Sequence, residues 1–429
     1  MRYFFSLTLY RIVVIVLLPI LLLALLLRSR KNPAYRQRIL ERLGILPRKL
    51  KPNSIVIHAA SVGEVIALKP LVDKLLSAQP QVEITFTSFT PTGSQQITSF
   101  YGDKVQHCFL PIDCWPCTWA FLQRLQPKAL VIMETEIWPN LIAQAHSKRI
   151  PLLLINGRLT QKSVKQYKKF SWLVTPTLNC FNRLLVQSID NLHHFLALDV
   201  AKKQCSVSGN IKFDLSISEQ VQDKQQLLAK FIQNERSTWL VASTHPGDEE
   251  LILESFAQLK QQHPSLLLIL VPRHPERFAE VTALCASQQW QVVNRSDKSP
   301  VTSETDIWVI DTLGELLPAC ALADVVTMGG SFSHIGGHNP LEPALFKKAI
   351  IVGPNMANFA EITQRMLAHN GIIQLNERTP IAKQLSQQVN DILIDESERS
   401  ILGQQAHDVV LSNQGATDKT YRAVLSLIK

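Results

Sequence analysis

Disulfide chemistry is the first thing this chain lacks. Its seven cysteines, at 108, 114, 117, 180, 205, 285 and 320, are too few and too irregularly spaced to frame 429 residues. Free thiols in a reducing compartment are expected. No segment repeats at the periods of solenoids and no tract is of low complexity, which excludes stacked-repeat folds. A hydrophobic share of 46% excludes disorder, and the length suits two or three domains with their own cores. Acidic charge is nearly missing from residues 1–52, where eleven basic side chains face one acidic one. The net charge is +9, so the rest of the chain is left at −1 and the basicity belongs to the N-terminus. Nucleic acid is therefore not an implied partner.

What the N-terminus holds in place of acid is apolar length. Residues 12–27, IVVIVLLPILLLALLL, follow YFFSLTLY with only Arg11 between, about the length that crosses a bilayer as a helix. The run continues into RSRKNPAYRQR rather than a small-residue cleavage site, which favours an uncleaved anchor over a signal peptide. Residues 28–51 carry nine Lys/Arg and one Glu, against Arg2 and Arg11 before or within the run. The positive-inside rule then places the body on the cytoplasmic face of the membrane, and the basic flank gains roughly 1 kcal/mol per residue from anionic lipid.

Beyond the flank, apolar runs of strand length alternate with stretches at helical spacing. SIVIH, VEITFTSF, VQHCFLP, ALVIMETE, PLLLING, RLLVQS and CSVSGN come first. After the polar DLSISEQVQDKQQ (214–226), TWLVAST, SLLLILVPR, WQVVNRS, DIWVIDT, DVVTMGG and AIIVGP repeat the pattern. Alternation of this kind signals parallel sheets covered on both faces. Two Rossmann-like domains facing a cleft are expected: an anchor over 1–30, domains over 31–218 and 219–405, and a C-terminal helix within 406–429 that packs back on the first domain. With no strand expected before residue 28, deleting 1–27 should leave the domains folded.

In open α/β sheets ligands sit beyond the carboxyl ends of the strands. There the sequence places HAASVGE (58–64), ETEIWPN (134–140), NGRL (156–159), GNIK (209–212), STHPGDEE (243–250), PRHPERF (272–278), DTLGEL (311–316) and GGSFSHIGGHNPLEPA (329–344). In the last, glycines 329, 330, 336 and 337 let the backbone approach a ligand, Asn339 is a good N-cap, Pro340 suits the first helical position and Glu342 falls in the first turn. A helix start after such a loop is a phosphate site, and Arg273 with His274 stand where they could face the same phosphate. Glu64, taken alone, is a first-turn carboxylate complementing a helix dipole. His193, His194, His334 and His338 lack the spacing of a metal site. CWPC (114–117) has redox spacing, but its surroundings argue against a redox role.

Taken in order, HAASVGEV, ETEIWPN, GNIKFD, STHPGDEE, LVPRHPERF, DTLGEL and GGHNPLEPA resemble the motifs of bacterial Kdo transferases, membrane-anchored enzymes that add 3-deoxy-D-manno-octulosonic acid to lipid A precursor. The resemblance runs from the anchor to the C-terminus. It implies a GT-B glycosyltransferase with CMP-Kdo as donor, lipid IVA as acceptor, no cofactor and no essential metal. It also implies inversion, with Glu64 as general base and with Glu134 and Lys212 supporting the transition state. Pro272, Arg273, Leu313, Gly314, Glu315, Asn339, Pro340, Leu341 and Glu342 match the CMP-contacting segments. Gly157 departs from the family, which has alanine there. Two other readings stay open on the residues: a membrane-anchored GT-B transferase using a UDP-sugar, and an inactive nucleotide-sugar-binding scaffold.

Overall fold

A computed structural model describes residues 2–47 and 49–428; Arg48 of the basic flank and Lys429, the last residue of YRAVLSLIK, lie outside the described residues. The chain forms two compact units, Met1–Asp214 with Asn413–Lys429, and Leu215–Ser412.

Strands buried on both faces need apolar residues at most positions rather than at alternate ones, and the apolar runs supply them in the central strands. The first unit holds a sheet of β1 (Ile55–His58), β2 (Ile84–Ser88), β3 (Gln106–Phe109), β4 (Ala129–Met133), β5 (Leu152–Gly157), β6 (Arg183–Val186) and β7 (Cys205–Val207). All pairings are parallel, in the order β3-β2-β1-β4-β5-β6-β7. Successive side chains enter opposite layers. Val56, Leu130, Ile132 and Leu154 join one core cluster, while Ile57, Val131, Met133 and Ile155 join the other. Each such side chain adds about 1.5–3 kcal/mol of burial. The second layer is closed by the helix Val62–Ala78 and by the last helix, Ala416–Ile428, through Ala416, Ala423 and Val424. Asp214 fixes the start of that last helix by accepting the amides of Gly415, at 2.6 Å, and Thr417.

The second unit repeats the plan with β8 (Thr238–Thr244), β9 (Leu267–Pro272), β10 (Val292–Asn294), β11 (Ile307–Val309), β12 (Val325–Met328), β13 (Ala349–Val352) and β14 (Ile373–Gln374). Their order is β10-β11-β9-β8-β12-β13-β14, again parallel. In the second sheet β11 turns back to lie between β10 and β9, and in each sheet one reversal lies between strands whose connections leave in opposite directions. It lies between β1 and β4 in the first unit, and between β8 and β12 in the second.

The apolar N-terminal segment is a helix, Arg2–Lys31, long and apolar enough to cross a membrane. It supplies no strand, yet its first three turns are bonded to the first unit. Tyr10 donates its hydroxyl to Asp113 at 2.9 Å and Arg11 its Nε to Asn140 at 3.1 Å, while Tyr3 lies 3.4 Å from the Thr177 hydroxyl. The expectation of an independent anchor omitted these contacts. The basic flank is likewise partly consumed: Arg38 pairs with Glu41 at 2.7 Å, and the buried Arg42 lies over Phe109 and Phe89.

One expectation about thiols is corrected. Cys114 and Cys117 are joined as a disulfide. Cys114 caps the helix Trp115–Leu125 and the first helical turn brings Cys117 back, with Cα atoms 5.3 Å apart, within the range a disulfide spans. The other five cysteines are free.

Candidate active site

In the first unit the crevice expected at a strand-order reversal falls between β1 and β4. Glu64 follows β1 on the first turn of the helix Val62–Ala78, whose N-cap is Ser61. Its carboxylate turns back over the helix start, accepting the Ala60 amide at 2.9 Å and the Ser61 hydroxyl at 2.8 Å. It is 8% exposed, so it is not the solvated carboxylate that the stretch alone suggests. Burial, reinforced by the charge of Glu134, raises its pKa to about 7 against the two hydrogen bonds. A carboxylate poised there can exchange a proton near neutrality.

Glu134 stands directly after β4 with φ at +57°, a conformation costing a non-glycine residue about 1–2 kcal/mol. Its amide is held by the Ile155 carbonyl at 2.9 Å. Its carboxylate pairs with the Lys212 ammonium at 3.2 Å, both side chains about a quarter exposed. Lys212 reaches this point because the buried Asn156 side chain accepts the Ile211 amide at 3.0 Å, tying the turn after β7 to the end of β5. Glu136 also belongs to this group: it is raised by burial and then by Glu134, and its charge acts on Glu64. Sequence reasoning passed over Glu136 and Asn156, although ETE and ING both stand at strand ends. Gly157 has a local cause: a Cβ there would lie 2.6 Å from Leu154 Cδ2, at a break in the β5–β6 register.

The second unit gathers its candidate residues where β8, β9, β11 and β12 end. Pro272 closes β9, and Arg273 follows, exposed, its amide on the Thr244 carbonyl at 3.1 Å. Leu313 is 72% exposed, and Gly314 turns at φ +75° with its carbonyl accepting from Lys224 at 3.2 Å. Glu315 is buried, paired with Arg295 at 3.2 Å and bonded to Thr312. Asn339 accepts the Leu341 amide at 3.2 Å and reaches Glu342 at 3.4 Å; Pro340 and Leu341 are buried, and burial raises the Glu342 pKa.

The helix expected after Asn339 is a single turn, Leu341–Ala344, ended by a chain that bends toward β13. One turn does not build a macrodipole, so the phosphate argument from a helix start fails here. Nor do all the glycines serve a ligand. A Cβ on Gly329 would lie 2.6 Å from the Ser243 carbonyl oxygen, and one on Gly337 would lie 2.2 Å from Met356 Sδ. What the sequence did not suggest is a histidine pair: His245, directly after β8, and His338 meet with their Nε2 atoms 2.8 Å apart.

Residues 37–215 match the family model "3-Deoxy-D-manno-octulosonic-acid transferase (kdotransferase)". A 3-deoxy-D-manno-octulosonic acid transferase of Haemophilus influenzae is 36% identical over 98% of this chain and 97% of its own length. The C-terminal CMP-Kdo binding domain of WaaA from Acinetobacter baumannii is 31% identical, covering 44% of this chain and 97% of that one, with a TM-score of 0.41. UDP-GlcNAc 2-epimerase from Neisseria meningitidis covers 88% of this chain and 100% of its own at a TM-score of 0.57 and 12% identity, a likeness of fold alone. The two parallel seven-stranded sheets and the likeness to the epimerase make the fold α/β of the GT-B type. Near-complete coverage at 36% identity establishes that the chain belongs to the 3-deoxy-D-manno-octulosonic acid transferase family and is a glycosyltransferase.

Proposed function

We propose that this transferase moves Kdo from CMP-Kdo to lipid IVA with inversion, and that Glu64 is its general base. The buried Glu64 carboxylate, at the strand-order reversal of the first unit with its pKa raised to about 7, carries the reading. Glu64 takes the proton of the acceptor hydroxyl as that oxygen bonds to the anomeric carbon. The bond from that carbon to the phosphate oxygen breaks, and its electron pair leaves with CMP. Such a base is worth about 10²- to 10⁴-fold in rate. The Glu134–Lys212 pair keeps an ammonium beside the reacting groups, suited to charge developing in the transition state.

CMP is assigned to the second unit, with Arg273 toward the phosphate and Glu342 toward the ribose hydroxyls. Pro272, Leu313 to Glu315 and Asn339 to Leu341 shape the site around them. No divalent ion has a part in this scheme. The first unit is the acceptor side and the second is the donor side. The N-terminal helix and the remaining basic flank hold the enzyme to the cytoplasmic face of the inner membrane.

The test is mass spectrometry of the lipid product after the full-length chain is incubated with lipid IVA and CMP-Kdo, with UDP-sugars as the competing donors. A gain of one or more Kdo masses supports the reading. Product from a UDP-sugar alone overturns the donor, and CMP release that does not depend on acceptor overturns the transfer.

A further inference from the structure

The second sheet reverses its strand order between β8 and β12, and the residues that follow those strands meet there. His245 follows β8. His338 comes from the loop after β12. Their rings lie within 3° of parallel, and His274, after β9, stands edge-on to His245 with ring centroids 5.2 Å apart.

Two imidazole nitrogens at 2.8 Å share one hydrogen, with one ring donating Nε2–H and the other accepting. Two imidazolium rings cannot meet this way, because both nitrogens would be donors. Neither Nδ1 has a hydrogen-bond partner among the described residues, so the pair keeps a free nitrogen through which a proton can enter. Burial, with the charges of Arg273 and its neighbours, holds His245 down at about 4 and His338 at about 3. The pair is neutral at pH 7 when the site holds no anion.

The surrounding charges are mostly committed. The start of the helix Asp248–Gln262 is filled by its own acids, with Asp248 accepting the amides of His245 at 2.9 Å and Gly330 at 2.6 Å. Arg277 is bonded to Glu249 at 2.7 Å. Glu342 bonds Asn339, and His334 is exposed. Arg273 alone keeps a guanidinium with no ion-pair or hydrogen-bond partner among the described residues. A nucleoside monophosphate dianion entering here meets one permanent cation and a neutral pair able to become the second.

We propose that the His245–His338 pair is a proton-accepting phosphate site, taking up one proton from solvent when the nucleotide phosphate binds. The inference rests on the assignment of CMP to this unit. Protonation places a single positive charge across the two rings, still sharing a hydrogen, beside the phosphate as CMP departs. No covalent step is involved. Donor and product then bind more tightly as pH falls, through these residues and not through Glu64.

The experiment is calorimetry of CMP binding to the full-length protein in detergent near pH 7.5, in buffers of low and high ionisation enthalpy, with cytidine as the phosphate-free control. CMP binding by the wild type should take up close to one proton, and cytidine none. His338→Gln and His245→Gln should each reduce the uptake several-fold and weaken CMP about tenfold, with cytidine binding unchanged. CMP binding without proton uptake, or equal uptake in wild type and both variants, overturns the proposal. Failure of the wild type to bind CMP at all overturns the donor assignment itself.

Discussion

Glu64→Gln should remove turnover and, at alkaline pH, stabilise the protein. The folded-state pKa of about 7 lies above the ordinary 4.5, so the folded chain holds the Glu64 proton more tightly than the unfolded chain does. Stability is therefore fully present below pH 4.5 and declines as pH rises through 7. The gap between those two values corresponds to about 3 kcal/mol of penalty once Glu64 is ionised. Glutamine carries no charge, keeps an acceptor for the Ala60 amide and can donate to the Ser61 hydroxyl. Its weaker hydrogen bonds give back about 1 kcal/mol. Net stabilisation near pH 8.5 is then about 2 kcal/mol, or roughly 4–8 °C in Tm for a unit of this size, shrinking to nothing or reversing near pH 5. On the same preparation, kcat should fall at least about 10²-fold while CMP affinity, which we assign to the second unit, is unchanged. The assays are turnover with saturating lipid acceptor, CMP calorimetry, and thermal melts at both pH values. Near-normal turnover would return Glu64 to a capping role. A Tm equally lowered at both pH values would refute the burial argument.

At saturating donor, wild-type kcat/KM for the acceptor should rise with pH on a limb centred near 7 from the Glu64 carboxyl, and a flat profile between pH 5.5 and 8.5 would contradict that base. Arg273→Ala should raise KM for the donor about tenfold or more with little change for the acceptor; an acceptor-only effect in steady-state kinetics would misplace the residue. Activity should survive excess chelator if, as proposed, Arg273 and the histidine pair meet the leaving charge, and a complete loss restored by one metal would refute this. Deleting residues 1–27 removes the Tyr10–Asp113 and Arg11–Asn140 bonds, so the truncated chain should fold but melt earlier, by about 1–3 kcal/mol, in calorimetric scans; an unchanged Tm would show that those bonds do not hold in solution.

The sheets were legible because doubly buried parallel strands write themselves as unbroken apolar runs, and β8 or β9 can hardly be read otherwise. β14 was not, since Ile373–Gln374 is two residues long and carries no run. The site divides along the same line. Glu64, Glu134 and Arg273 stand in the turns that strand ends mark, so position along the chain found them. The partners that set their chemistry come from elsewhere in the chain. Lys212 meets Glu134 across 78 residues, and His245 meets His338 across 93. No spacing rule joins such pairs until the strand order is known, because that order decides which loops share a crevice.

The N-terminal helix shows the same limit from the other side. Its composition is all that a spanning helix requires, and composition says nothing of what its first turns touch. A helix crossing the bilayer carries residue 10 to the side away from the body. The bonds of Tyr10 to Asp113 and of Arg11 to Asn140 require it on the same side as the body. Asp113 is 3% exposed and is also bonded by the Asn140 and Leu141 amides, so it stays in the body. Spanning therefore breaks both bonds and strips a buried carboxylate of its Tyr10 hydroxyl donor, whereas a helix lying along the body gives residues 12–27 to lipid and keeps them. A protease-cleavable tag at the N-terminus separates the two arrangements. Retention of the Tyr10 and Arg11 bonds requires cleavage in inverted vesicles and protection in spheroplasts, the same as a tag at the C-terminus. Cleavage of the N-terminal tag in intact spheroplasts would show that the bonds are given up for a span.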